Sequence, residues 1–119
     1  MSSLLWTPKT HRIGDVTIIR VGDTYHLFTE QSPPDWGGEL GESFAGIRSV
    51  GHAISKDMFE WEELPPAIKC GPPGSFDAFS IYHMDVYVHD GTWYMHYTGL
   101  DNVGPGEQQL IVGATSHDG

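Results

Sequence analysis

Two aspartates in this 119-residue sequence open β-branched or apolar runs: Asp15 before VTIIRV, and Asp85 before VYVH. A carboxylate so placed can act as a nucleophile or base, or accept hydrogen bonds from a polyol. Leaving it in an apolar strand without a hydrogen bond costs free energy, so Asp15 is read as a pocket carboxylate that is partly desolvated. The competing reading is a turn aspartate that caps the strand. His83 precedes Asp85 by two residues, on the same face of SIYHMDVYVH (80–89). Together an imidazole and a carboxylate match the donors and acceptors of sugar hydroxyls; the alternative is a structural pair between sheets. Trp36, in a loop rich in Pro and Gly, offers an indole to stack on a sugar face, unless it packs beneath its own loop. Seven histidines are present, none in a tight ligand spacing. No metal and no cofactor is therefore expected, and His52 is read as structural.

These groups need a scaffold, and the composition says which kind. Hydrophobic residues make up 39% and aromatics 12%, enough for a core, while 15 Gly and 8 Pro favour many turns. Sixteen acidic residues against six basic give a formal charge of −10. Nucleic acid and anionic membranes need clustered Lys and Arg, so neither is an expected partner, whereas a neutral sugar is compatible. Cys70 alone makes an intrachain disulfide impossible. The segment MSSLLWTPKTHR has no apolar run long enough for a signal peptide or membrane span. The simplest location is cytoplasmic; a secreted protein whose signal had been removed would read the same.

The periodicity is that of strands. DVTIIRV (15–21), a turn at Gly22-Asp23 and TYHLFTE (24–30) read as a hairpin. QSPPDWGGELGESFAGI (31–47) is a loop. RSVGHAIS (48–55) is the next strand, and FEWEEL (59–64) the fourth, which Pro65 and Pro66 are expected to end. Alternation in 80–89 puts Tyr82, Met84, Val86 and Val88 on one side, and Ile81, His83, Asp85, Tyr87 and His89 on the other. Asp90-Gly91 turns the chain into TWYMHYTG (92–99), and QQLIVGATS (108–116) follows a loop. YHLFT (25–29) returns as YMHYT (94–98), and GHAISKD (51–57) as VGATSHD (112–118). A repeat of this length built of short antiparallel strands is the mark of a β-propeller blade. One all-β domain, 1–119, is expected, with a first blade at about 13–68 and a second at about 78–119 that lacks its last strand.

GDTYHLF (22–28), GHAISKDMFEWEELPPAI (51–68) and DGTWYMHYTG (90–99) resemble, in order and spacing, the first two blades of glycoside hydrolases of family 32. DVTIIRVGDTY (15–25) and MDVYVHDGTWY (84–94) are closer to family 43. The resemblance implies a five-bladed β-propeller whose axial pocket hydrolyses a fructoside, arabinoside or xyloside with paired carboxylates. It places Asp15 at the first-blade carboxylate and Asp85 at a pocket-lining position of the second blade. The families follow that carboxylate with Pro, whereas Val16 stands here, and they carry their other two catalytic carboxylates in later blades. If active, the protein is a glycosidase with an incomplete site in one chain. The alternative is a non-catalytic carbohydrate-binding or structural propeller fragment. Open blade faces and edges call for a longer hydrolase of which this is a piece, a homo-oligomeric ring of half-propellers, or a partly disordered fragment; for the ring, SLLWT (3–7) is a candidate strand to complete a neighbour's second blade.

Overall fold

The structure, a computed structural model, describes residues 5–9, 11–33, 47–101 and 109–117. Seven strands lie among them: β1 (Arg12–Val21), β2 (Thr24–Ser32), β3 (Ser49–Ser55), β4 (Glu62–Lys69), β5 (Ser80–His89), β6 (Thr92–Leu100) and β7 (Gln109–Ser116). They form two antiparallel sheets, in the order β1-β2-β3-β4 and β5-β6-β7. Two-residue turns close the hairpins at the expected places. Gly22 (φ 61°), and Asp90 and Gly91 (φ 47° and 76°), take the left-handed backbone that matches strand twist. No helix among the described residues is long and apolar enough to cross a membrane.

Three strand expectations need correction. The fourth strand begins at Glu62, after Trp61, because residues 56–60 form a side-chain-capped turn. Asp57 accepts the amides of Phe59 (2.9 Å) and Glu60 (3.0 Å), Ser55 Oγ accepts that of Met58 (2.8 Å), and Met58 is left-handed at φ 68°. The same strand runs through Pro65 and Pro66. It is the edge of its sheet, and its register with β3 slips between His52↔Leu64 and Val50↔Ile68. Both prolines fall in that slip, where missing amides break no regular ladder. Finally, Ile81 does not join the polar face of β5 but is fully buried. The β5–β6 register slips by one residue between Tyr82 and Asp85, with His83 at φ 53°, so the alternation changes phase there.

The core lies between the sheets. Phe28 and Val50 of the first meet Ile81, Met84, Val86, Met95 and Tyr97 of the second, with Ile19, Ile68, Trp93 and Val112 around them. Each such side chain contributes roughly 1.5–3 kcal/mol by leaving water. Backbone links reinforce the seam: the Ile47 carbonyl accepts the Ile81 amide (3.2 Å) and the Ser80 hydroxyl (2.8 Å). Strand β5 meets β1, β2 and β3, so the leading strands of the two sheets are neighbours. Trp6 of the N-terminal segment packs on Trp61 of its own chain, with ring centroids 6.4 Å apart. Residues 3 and 4 of SLLWT lie outside the described residues.

Candidate functional site

Where β1 and β5 come together, each carries a bulge. In β1 the register with β2 slips between Ile13 and Val16, around Gly14 and Asp15; in β5 it slips around His83 and Met84. A bulge re-aims its residues, and these two aim at each other. His83 Nδ1 lies 3.3 Å from Asp15 Oδ2, with the side chains 52% and 65% exposed. Asp15 is thus more open than its place before an apolar run implies, because the bulge turns it out of the sheet. Counted from the hairpin turns, Asp15 lies six positions before Val21 and His83 six before His89. Asp15 and His83 are therefore counterparts in the two sheets.

Beneath the pair sits Glu30, near the end of β2 and 3% exposed. Its Oε2 accepts the Asp15 amide at 3.0 Å and its Oε1 the His83 amide at 2.7 Å. Thr29 Oγ1 donates to the Asp15 carbonyl at 3.0 Å. Sequence spacing did not single out Glu30; its only signal is a carboxylate inside a strand whose neighbours Leu27, Phe28 and Thr29 are all buried. Asp15, Glu30 and His83 each offer a donor atom within 4.8 Å of the others, the arrangement a cation would use. The expectation of no metal site rested on linear spacing, which cannot register donors from three strands. Glu30 has backbone amides on both oxygens, so its burial is compensated without an ion.

Asp85 stands outside this group. Its Oδ1 accepts the Val86 amide at 3.0 Å, and in register it faces His96. The direct partner of His83 is thus Asp15, while Asp85 and His83 both remain exposed on β5. Trp36 lies outside the described residues.

Two other polar clusters are structural in form. His26 Nδ1 and His52 Nε2 are 3.0 Å apart at the seam, with His52 stacked on Phe28 (4.4 Å) and His26 edge-on to Trp93 (4.7 Å). Burial, then the neighbouring His26, hold His52 down at about 4; burial, then Lys56, lower His26. In the β4–β5 connection, Asp77 accepts the Tyr97 hydroxyl (2.8 Å) and Ser75 Oγ (3.0 Å), and burial, then Asp77, push the Tyr97 phenol up. An apolar cleft of about 160 Å³ opens between the sheets, lined by Phe28, Ile68, Val86, Trp93 and Met95 among others.

Antiparallel sheets packed side by side, leading strands together and an open carboxylate between them, are blades of a glycoside-hydrolase-type β-propeller. Solved structures agree on the fold. A GH43 β-xylosidase/α-arabinofuranosidase from a compost microbial metagenome, in a calcium-free complex with xylotriose, superposes with a TM-score of 0.74 at 15% identity, over 96% of this chain and 33% of that one. A second β-xylosidase gives 0.68 at 14% identity, over 92% and 33%. The sequence profile of the glycosyl hydrolases family 32 N-terminal domain matches residues 7–119, and the chain belongs to that family. It is 35% identical over 96 residues to an insoluble isoenzyme of β-fructofuranosidase from Arabidopsis thaliana, covering 79% of this chain and 16% of that protein. It is 32% identical over 120 residues to sucrose-6-phosphate hydrolase of Zymomonas mobilis, covering 95% and 21%. The chain therefore spans about a fifth or less of these relatives' length.

Proposed function

We propose that this chain supplies the first-blade carboxylate, Asp15, of a glycosidase pocket for a fructoside, arabinoside or xyloside. The observation that carries the reading is the Asp15–His83 pair, solvent-facing and placed where the leading strands of two blades meet. Cleaving a glycosidic bond takes two carboxyl groups, about 5 Å apart in retaining enzymes and roughly 6.5–9.5 Å apart in inverting ones. Glu30 is not the second, since both its oxygens accept backbone amides and it is closed to solvent. The general acid comes from elsewhere in the same protein, or from a copy of Asp15 or Asp85 in a neighbouring chain. Homo-oligomers formed through open blade faces are part of this proposal.

Hydrolysis of sucrose and of aryl xylosides and arabinofuranosides, with calorimetry on the same sugars, tests the reading. Turnover that Asp15→Asn abolishes supports it, and full activity in that variant removes Asp15 from the chemistry. The second reading is a carbohydrate-binding module without catalysis. One observation favours it: Asp15 Oδ2 already lies against His83, so the carboxylate is engaged before any substrate arrives. Binding without turnover is its signature.

A further inference from the structure

Glu30 is a buried ionisable side chain, 3% exposed, that the chemistry above does not use. Its two oxygens serve two donors, the amides of Asp15 and His83, which belong to different sheets. Both donors sit in bulges, where an amide is released from its ladder and needs another acceptor. A single carboxylate meets both needs, through hydrogen bonds strengthened by its charge. Space around it is tight. A Cβ on Gly14 would lie 2.5 Å from Glu30 Oε2, so any larger residue there must displace that oxygen.

We propose that Glu30 is the positioning residue of the axial pocket, setting the distance between Asp15 and His83 across the two sheets by accepting both their amides. With Thr29 Oγ1 on its carbonyl and Glu30 on its amide, the Asp15 backbone is held from both sides while its carboxylate stays in solvent. The functional meaning rests on the reading of Asp15 as the pocket carboxylate, but the test does not.

Nitrogen-15 NMR of the histidine rings reads the state of His83 Nδ1 directly. In the unmodified protein, Asp15→Asn is expected to change the His83 ring-nitrogen signals, because Asp15 Oδ2 is the neighbour of Nδ1. Glu30→Gln keeps the shape but turns one acceptor into a donor. In the folded variant, His83 is expected to show the signals of the Asp15→Asn protein. Gly14→Ala pushes Oε2 aside while keeping the Glu30 charge, and is expected to give the same change; it serves if Glu30→Gln does not fold. Signals unchanged from the unmodified protein in either folded variant overturn the proposal, as does a His83 indifferent to Asp15→Asn. Because no sugar or turnover enters this measurement, a protein that binds no sugar refutes the pocket reading and leaves the Glu30 result standing.

Discussion

Glu30 and His52 are both titratable groups buried near the seam, and they settle the cost of burial differently. Glu30 keeps its place by accepting two amides. His52, stacked on Phe28 and facing one nitrogen of His26, keeps its place by shedding its proton. Its folded value of about 4 lies below the ordinary 6.5, so the unfolded chain binds more protons between those limits. Stability is therefore complete above about pH 6.5 and falls as pH drops toward 4, by on the order of 2 kcal/mol from this group. Lys56, on the His26 side, adds to the penalty for protonation. Urea unfolding from pH 7 to 4 should show the loss, and His52→Gln should flatten the slope. A second residue-scale expectation concerns Gly14. Gly14→Ala should cost about 1–3 kcal/mol by overpacking against Glu30, read as a lower denaturation midpoint at unchanged m-value.

Among the elements, the hairpins were legible and the bulges were not. Alternating apolar residues and the Gly22-Asp23 and Asp90-Gly91 turns mark β1, β2, β5 and β6 directly. The prolines misled because they argue against a central strand, whereas β4 is an edge strand that passes both through a register slip. The candidate site was half legible for a related reason. Asp15 and His83 stand out as polar residues in apolar strands, but their meeting depends on two bulges, and Glu30 on which face of β2 is closed; none of these leaves a local motif. The turn before β4 also carries a test. Asp57→Ala removes the acceptor for the Phe59 and Glu60 amides and should lower the denaturation midpoint, measured by heat or urea. An unchanged midpoint would mean that the left-handed Met58 turn holds without its cap.

At the scale of the whole molecule, the register of the two sheets says what their open surfaces resemble. His26 and Phe28 lie two and four positions after Thr24, on the face that the second sheet covers. Tyr94 and His96 occupy the same positions after Thr92, so the hairpins align one residue off the YHLFT and YMHYT match. Tyr94 stacks on Tyr87 at 5.0 Å, Tyr87 also meets His96, and Ile111 beside them is 87% exposed. An exposed aromatic face that repeats a covered one is the surface the proposed homo-oligomer would use. Sedimentation velocity over a concentration series should show self-association, weakened roughly tenfold by Ile111→Lys. A concentration-independent monomer mass would contradict the proposed homo-oligomer. The pocket itself is tested most directly by amide NMR during titration with fructose and with xylotriose. Saturable shifts at Asp15 and His83, lost in Asp15→Asn, are the predicted result. Shifts confined to the Phe28–Trp93 cleft, or none at all with either sugar, would contradict an axial carbohydrate site at Asp15.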